Sequence, residues 1–228
     1  MTIPNLSQRL RCAASLVRQD SLVADVGTDH AYLPIALLSE GRIRGGVVSD
    51  IHKGPIARAT EHIRAYGMAD KLTSVLCDGL CGLADYRPED ILILGMGGEL
   101  IARILADAPW TKDPHIRLIL QPMTHPEALR AFLCGAGYTI VEEALVKEEK
   151  IYQILCAEYT GDVADYSEPE LLFGRQNLSR RDPLTWELLS RWEEILSVRK
   201  AGKQKADADT AAEDRLLQQI GDWKHDGT

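Results

Sequence analysis

Three aspartates have the clearest capacity for chemistry in this sequence. Asp25, Asp50 and Asp78 each stand at, or directly after, the end of a short apolar segment with the composition of a buried strand. In an open α/β sheet, ligands bind outside the carboxyl ends of the strands, so we expect these three carboxylates to lie along one edge. Carboxylates at such an edge accept hydrogen bonds from ammonium, hydroxyl and amino groups. The arrangement predicts a site for a nucleoside-containing cofactor.

The turn after the first of these segments distinguishes between two cofactor classes. A dinucleotide-binding turn has the pattern G-x-G-x-x-G, which seats a pyrophosphate on a helix N-terminus. Here Asp25 precedes the single glycine, Gly27, and Asp29 follows it. Both acids would repel a pyrophosphate, whereas they suit an ammonium group and a ribose. The turn therefore favours S-adenosylmethionine over a nicotinamide cofactor, and we expect Thr28 and His30 to lie against it as well.

The next two strand ends complete this predicted cofactor site. Asp50, which is followed by Ile51, is placed to accept both ribose hydroxyls. Cys77, Asp78 and Gly79 follow the third strand, where the carboxylate can accept the adenine amino group. Each acid taken singly is also compatible with an ordinary helix cap or turn.

A glycine-rich loop, Gly95-Met96-Gly97-Gly98, follows the fourth predicted strand. Methyltransferases that act on exocyclic amines of bases commonly carry an Asn/Asp-Pro-Pro-aromatic motif at this point, and this chain has none. Glycines allow the backbone to approach a ligand closely. We expect Gly95, Met96 and Gly97 to contact the cofactor and Gly98 to contact the target base. The alternative is a flexible loop that opens the helix at Glu99.

Strands and helices are predicted to alternate along the first two thirds of the chain. Seven apolar segments are predicted to be strands, at residues 22–26, 45–50, 72–77, 91–94, 117–120, 138–146 and 151–159. Helices are predicted at residues 6–17, 32–38, 55–66, 100–105 and 126–134. A short charged turn joins the last two strands, which must therefore be antiparallel. For residues 1–161 we expect an α/β fold of the class I methyltransferase type, a Rossmann-like seven-stranded sheet with an antiparallel C-terminal hairpin.

A second, small helical domain is predicted for residues 162–228. The polar segment 161–169 is predicted to be a linker, and Asp182-Pro183 is a typical helix start. Apolar residues then recur at helical spacing in two stripes, at 188–196 and 208–223. We expect an antiparallel, coiled-coil-like pair of helices. Either Ala201-Gly202 bends the chain between them or one long helix continues.

The overall composition limits the class of protein further. The 228 residues are 45% apolar, which suits one α/β domain and an appendage, and no run of eighteen apolar residues predicts a transmembrane helix. The N-terminus has the pattern of a helix and not of a signal peptide. Five cysteines form no C-x-x-C pair, so we expect no disulfide, no metal site and a cytoplasmic location. The net charge of −8 disfavours indiscriminate nucleic-acid binding but allows a locally basic face.

Several motifs, taken together, resemble a known family across residues 5 to 160. They are Asp25-x-Gly27-x-Asp29-His30-Ala31-Tyr32-Leu33-Pro34, Gly54-Pro55, Asp78-Gly79-Leu80, Gly95-Met96-Gly97-Gly98 and Gln121-Pro122. This set resembles the bacterial tRNA (adenine-22-N1)-methyltransferases, the TrmK family. The resemblance implies S-adenosylmethionine as the methyl donor, N1 of a tRNA adenine as the acceptor and a helical C-terminal domain. Asp29 and Ala31, where most methyltransferases have glycines, agree with this family.

The chemistry expected of such an enzyme singles out Asp29. N1 of adenine has an in-plane lone pair, so its methylation needs no base but leaves a cationic ring. A carboxylate near the exocyclic amine stabilises that charge and can accept a proton, and Asp29 is the predicted catalytic residue. Its alternatives are capping the next helix or binding the methionine ammonium, and His30 either orients it or packs in the turn. Tyr32 or Met96 can pack against an adenine that has left its stack.

A basic stretch in the predicted helical domain is the candidate RNA contact. Eight basic residues fall between positions 175 and 205, against four acids. Such an excess suits contact with a structured RNA backbone. The predicted tRNA contacts are Arg175, Arg180, Arg181, Arg199, Lys200 and Lys203. The alternatives are a solvated helix face or a protein-interaction module.

Two other functions stay open on the sequence alone. A methyltransferase acting on a small molecule or a protein would share the cofactor site, although the basic stretch disfavours it. A catalytically silent fold that docks a partner would not need three aspartates and the glycine loop. For the enzyme we expect a monomer.

Overall fold

The computed structural model describes residues 3–225, and the chain divides into two compact units after Asp165. This division falls within the polar segment predicted to be a linker, four residues beyond the predicted end of the first domain. Each unit has buried apolar residues of its own.

The first unit contains a seven-stranded sheet with the strand order β3-β2-β1-β4-β5-β7-β6. The strands are β1 (Ser21–Val26), β2 (Ile43–Asp50), β3 (Leu72–Leu76), β4 (Asp90–Met96), β5 (Arg117–Pro122), β6 (Tyr138–Lys147) and β7 (Ile151–Tyr159). Strands β1 to β5 are parallel, and β7 runs antiparallel to both β5 and β6. The predicted fold class, a Rossmann-like sheet finished by an antiparallel hairpin, is confirmed.

Helices cover both faces of this sheet. They are α1 (Gln8–Ser15), α2 (Tyr32–Ser39), α3 (Lys53–Ala65), α4 (Gly98–Ala106) and α5 (Pro126–Gly135), with short 3-10 helices at Leu83–Tyr86 and Pro109–Thr111. Leu92 of β4 packs in a buried cluster with side chains of α1 and α2. Its neighbours Ile91 and Ile93 are also fully buried, and they point to the opposite face because side chains alternate along a strand. The middle of β4 is therefore apolar on both faces, as expected for a strand that is covered on both sides.

The first helix is shorter than the sequence predicted. The prediction ran from residue 6 to residue 17, whereas α1 begins at Gln8 and ends at Ser15. Ser7 ends the helix on its N-terminal side because its hydroxyl accepts a hydrogen bond from the Leu10 amide, 3.4 Å away. Other predicted bounds in this unit differ from the structure by only a few residues.

The second unit is entirely helical in its regular structure. It contains α6 (Glu168–Phe173), α7 (Arg175–Arg180), α8 (Pro183–Lys205) and α9 (Ala211–His225). Helix α8 continues through Ala201-Gly202, so the turn between the two long helices comes later, after Lys205. Lys203 pairs with Glu213 beside that turn, while Lys224 bonds Glu193 further along, which makes α8 and α9 antiparallel. The two short helices, α6 and α7, were not predicted.

Between residues 3 and 225, no helix has the length and apolar character needed to cross a membrane.

Candidate active site

The glycine turn after β1 is held against β2. The amides of Gly27 and Thr28 both donate to the carbonyl of Ser49, over 2.8 and 3.0 Å. Gly27 has a φ of 78°, a conformation that favours glycine, and a side chain there would collide with Met96. The Thr28 hydroxyl accepts from the amide of Ala31, which precedes α2. The turn is thus fixed by bonds to β2 and by its own threonine.

Asp25 is buried at the start of this turn, with 8% of its surface exposed. Burial raises the pKa of its carboxyl to about 6, although a hydrogen bond from Thr28 acts in the opposite direction. Within the described part of the chain, no cationic side chain forms an ion pair with it. A buried carboxylate of this kind is stabilised when a ligand brings a positive charge, which fits the ammonium of a methionine moiety.

Asp29 lies at the outer side of the turn and is exposed. Its carboxylate pairs with the Arg58 guanidinium of α3 and lies 3.0 Å from Nε2 of His30. The hydrogen bond from Arg58 is the main reason why the pKa of Asp29 is below its ordinary value. The residue before α2 is Ala31, without a side-chain cap, so the alternative that Asp29 caps this helix is wrong. Asp29 is an ionised group suited to stabilising positive charge and poorly suited to holding a proton.

Three aromatic rings pack beside Asp29. The rings of His30, Tyr32 and His62 stack on one another with centroids 5.0 to 5.4 Å apart. His30 therefore packs in the turn and also contacts Asp29, while its buried Nδ1 has no hydrogen-bond partner in the described chain. Tyr32 is 40% exposed, so part of its ring is accessible to a ligand such as a base.

The ends of β2 and β3 lie next to the turn. One carboxylate oxygen of Asp50 accepts from the His52 amide at 2.7 Å, and the other has no partner within residues 3–225. The Asp50 carbonyl accepts from the Cys77 amide at 3.1 Å, which joins the two strand ends. Ile51 is 56% exposed, and Asp78 is exposed as well. These positions leave an acceptor and an apolar surface for a nucleoside.

Two further residues at the end of β3 have local structural roles. Burial raises the pKa of the Cys77 thiol above its ordinary value. Gly79 has a φ of 53°, and a side chain there would press on Ile104 of α4. Both residues shape the loop that carries Asp78.

The glycine loop after β4 combines a tight turn with close packing. Gly95 has a φ of 83°, and the next residue, Met96, lies against Gly27. A Cβ atom added at Gly97 would lie 3.2 Å from the Thr124 hydroxyl, which is a tight contact, so this part of the loop is also crowded. Strands β1 and β4 are neighbours in the sheet, which explains why the two glycine turns meet.

Gly98 differs from the role expected of it. It is buried at the start of α4, and its amide donates to the Thr124 carbonyl at 2.7 Å. A side chain at this position would collide with the carbonyl of His125. Packing explains this glycine, and its amide is already bonded to the Thr124 carbonyl and not available to a base.

A cavity of about 200 Å³ lies at the glycine turn and includes residues that the sequence did not predict. Asp25, Gly27, Thr28, Asp29, His30, Tyr32 and Gly95 line it, as predicted for a ligand site. The unpredicted lining residues are Arg9, Leu10, Ala31, Leu33 and Leu94. Arg9 was assigned only to an opening helix, because nothing in its local sequence indicates a site.

Arg9 is held by contacts with distant parts of the chain. Its guanidinium donates to the side chain of Gln121 at 2.6 Å, and its amide donates to the carboxylate of Glu148, also at 2.6 Å. The same guanidinium lies over the ring of Tyr152, 5.4 Å from the centroid. Only the motif Gln121-Pro122 pointed to this region. Arg9 brings a positive charge to the side of the cavity next to Gly95.

The six basic residues predicted to contact tRNA have different surroundings. Lys200 and Lys203 of α8 pair with Asp214 and Glu213 of α9. Arg175 pairs with Glu170. The remaining three are Arg180, bonded to Gln176, Arg181, lying over Trp223, and Arg199, lying over Trp192.

The charge of the second unit is slightly negative once the residues outside positions 175 to 205 are included. From residue 166 onward the chain has ten Lys and Arg but twelve Asp and Glu. The local excess counted between 175 and 205 is therefore offset by acids outside that window. Lys200 and Lys203 face carboxylates of α9, and their contact with tRNA stays a prediction. Arg181 and Arg199 lie over aromatic rings and have no carboxylate partner among residues 3–225.

No group of three or more His, Cys, Asp and Glu side chains within residues 3–225 is arranged to hold a metal ion. All five cysteines are free thiols.

The sequence of this chain matches a known protein family and a characterised relative. Residues 6–155 match the family described as "Methyltransferase domain". The tRNA (adenine(22)-N(1))-methyltransferase of Bacillus subtilis (strain 168) is 33% identical over 154 residues, which cover 67% of this chain and 65% of that enzyme. The matched region thus spans slightly less than two thirds of that relative.

Solved structures match over nearly the whole chain. A Streptococcus pneumoniae protein in complex with S-adenosyl-L-methionine has a TM-score of 0.85 and 30% identity, with 95% of this chain and 99% of that chain covered. The Bacillus subtilis tRNA methyltransferase TrmK has a TM-score of 0.80 and 26% identity, with 96% and 95% covered. These alignments extend beyond the sheet into the helical unit.

Proposed function

We propose that this chain, which belongs to the bacterial tRNA (adenine(22)-N(1))-methyltransferase family, transfers a methyl group from S-adenosylmethionine to N1 of adenine 22 in tRNA. The observation that carries the proposal is the buried, unpaired carboxylate of Asp25 beside a glycine turn, with Asp50 at the adjacent strand end. The Asp25 carboxylate matches the ammonium group of the donor's methionine moiety. The Asp50 carboxylate matches the hydroxyl groups of its ribose. The similar Streptococcus pneumoniae protein was solved with S-adenosyl-L-methionine bound.

The residues present fit the donor at three places. Asp25 would accept from the ammonium, because that cation restores the ionised form which burial disfavours. The free oxygen of Asp50 would accept from the ribose, and Ile51 with the loop carrying Asp78 would hold the adenine. The cavity at the glycine turn has a volume of about 200 Å³, so it would enclose only part of the donor. The nucleoside part of the donor would lie along the open strand ends.

The chain's own groups would act on the target base mainly through charge and position. S-adenosylmethionine supplies an electrophilic methyl group, which adenine N1 attacks with its lone pair. Asp29 would then stabilise the positive charge that develops on the adenine ring, since Arg58 keeps it ionised. Tyr32 offers a ring face against which the base can stack, and Arg9 restricts the other side of the cavity.

Contact with the RNA is proposed for the helical unit. Arg181 and Arg199 are the strongest candidates for phosphate or base contacts, because neither is neutralised by a carboxylate within residues 3–225. Arg175 and Arg180 are exposed and can contribute, whereas Lys200 and Lys203 would first have to leave their partners on α9. A tRNA substrate also implies a cytoplasmic location, and we propose a monomer as the working species.

A methyl-transfer assay with site mapping tests this function. Purified protein and labelled S-adenosylmethionine are incubated with an unmodified tRNA transcript and with a transcript in which guanine replaces adenine 22. We expect incorporation into the first transcript only, together with a reverse-transcription stop at position 22, because N1 methylation blocks base pairing. Incorporation into both transcripts would assign another position. Transfer to small molecules or proteins, with none to tRNA, would favour the alternative methyltransferase function.

A further inference from the structure

The helical unit contains a second cavity that the proposed catalytic site does not use. It has a volume of about 360 Å³ and lies among α6, α7, α8 and α9. This volume is within the range of pockets that enclose small ligands. Its wall includes apolar residues such as Phe173 and Leu189, and also Arg181, Gln219 and Trp223. The wall thus combines apolar surface with polar groups that can orient a ligand.

Two planar groups of this wall, Arg181 and Trp223, pack against each other. The Arg181 guanidinium lies over the ring of Trp223, 4.9 Å from its centroid, and Trp186 packs against the same ring at 5.2 Å. Aromatic rings and guanidinium planes are the surfaces on which proteins stack unpaired nucleobases. The helical unit thus presents a stacking surface inside a cavity of the required size.

Arg181 is held at this surface by an uncommon backbone conformation. It has a φ of 53° between α7 and α8, a left-handed conformation in which a glycine or asparagine would be less strained. No carboxylate in the described chain pairs with its guanidinium. This conformation ends α7 at Arg181, whose side chain lines the cavity.

Gln219 supplies an unsatisfied hydrogen-bond acceptor. Its side-chain oxygen is buried, lines the cavity and has no partner within the described residues. An unpaired buried polar atom costs free energy, so it is expected to meet a donor in some state of the protein. The acid on this wall, Glu170, does not supply a donor, because it accepts from Arg175 and Ser167.

We propose that this cavity receives one unstacked nucleobase of the bound tRNA, which stacks at Trp223 and Arg181 and donates an N–H group to Gln219. The proposal rests on the proposed function, because it takes tRNA as the ligand. It goes beyond phosphate contact by the helical unit, since a base held in a pocket positions the RNA in one register. A second anchoring point of this kind would align adenine 22 with the methyl donor.

A matched pair of neutral substitutions tests the base pocket. Gln219→Met removes the acceptor and keeps the side-chain volume, and Gln218→Met makes the same change at the adjacent, exposed position. Neither changes the net charge, so general attraction to phosphates is constant. For Gln219→Met we expect tRNA affinity to fall by about tenfold, because a buried N–H group of the base loses its acceptor. For Gln218→Met we expect no change.

Additional readouts separate this proposal from a structural effect and from failure of the proposed function. The melting midpoint of Gln219→Met should not fall, since the substitution removes an unsatisfied polar atom. Its KM for tRNA should rise while kcat at saturating tRNA and affinity for S-adenosylmethionine stay at the wild-type values. If wild-type protein methylates tRNA and both variants bind tRNA equally, the base pocket is refuted while the function stands. If wild-type protein does not bind or methylate tRNA, the proposed function fails first.

Discussion

Asp25 is a buried carboxyl whose ionisation differs between the folded and the unfolded protein. Its pKa rises from 3.8 to about 6 because burial disfavours the charged form. A raised carboxyl pKa stabilises the folded protein below the unfolded value, near pH 4, and this contribution is lost as the pH rises through 6. At neutral pH the carboxylate therefore destabilises the ligand-free protein, by up to about 3 kcal/mol. This cost is the expected consequence of keeping an anion ready for a cationic ligand.

The substitution Asp25→Asn should separate stability from function. Without the ligand, we expect a higher melting midpoint than wild type at pH 7.5 and a smaller difference at pH 4.5. Calorimetric affinity for S-adenosylmethionine should fall, and its increase between pH 5 and 7 should disappear, since no group at this position then titrates. Asp70→Asn, at an exposed aspartate, is the control. A variant that binds the cofactor with unchanged pH dependence would remove Asp25 from the ammonium site.

Asp29 is predicted to act in the transition state more than in cofactor binding. For Asp29→Asn we expect kcat to fall by about 100-fold, because charge stabilisation at the adenine is lost, with little change in affinity for S-adenosylmethionine. Steady-state kinetics and calorimetry on the same preparation give both values. A defect confined to cofactor affinity would place Asp29 in binding alone.

The sequence pointed to the motifs at the strand ends more readily than to the residues that reach these strand ends from helices. Asp25, Gly27 and Asp50 belong to short motifs at strand ends, and motifs can be recognised locally. Arg9 and Arg58 reach the site from helices whose sequence pattern is only amphipathic, and their partners are distant in the chain. Contacts of this kind depend on the folded sheet, which is why the sequence did not reveal them.

Among the elements, the strands and long helices were predictable and the short helices were not. Strand β7 has its predicted bounds because a charged turn precedes its apolar run and Thr160-Gly161 follows it. Helix α6 has six residues, too few for a helical stripe, although Ser167 and Glu170 form a capping box that could have indicated its start. Helix α7 is equally short, and it has neither a helical stripe of apolar residues nor a capping box.

The pairing of α8 with α9 leads to a prediction about Lys203. Lys203→Glu would place two carboxylates together and lower the melting midpoint, whereas adding Glu213→Lys restores an ion pair and should recover it. We expect tRNA affinity to recover in the double variant as well, since Lys203 serves the helix pair. If the double variant is stable but still binds tRNA weakly, Lys203 contacts the RNA directly.

Arg199→Glu, at an exposed position without an ion-pair partner among residues 3–225, should weaken tRNA binding and reduce its salt dependence.

At the scale of the whole molecule, the division after Asp165 predicts separable activities. A chain ending there keeps the complete sheet and its hairpin, so it should fold and bind S-adenosylmethionine with wild-type affinity. It should lose most of its affinity for tRNA and its methyl transfer, because α6 to α9 are absent. Calorimetry with the cofactor and filter binding with tRNA measure the two activities. Equal tRNA binding by truncated and full-length protein would assign the RNA contact to the sheet unit.

The most direct measurement is nucleotide-resolved mapping of N1-methyladenine in tRNA from cells that have or lack this protein. We predict a signal at adenine 22 that disappears when the gene is deleted and returns with the wild-type chain. It should not return with Asp50→Ala, which loses the ribose acceptor at a cost of roughly 1.5–3 kcal/mol for each charge-assisted bond. A signal at adenine 22 that is unchanged by the deletion, or one that Asp50→Ala restores fully, would contradict this account.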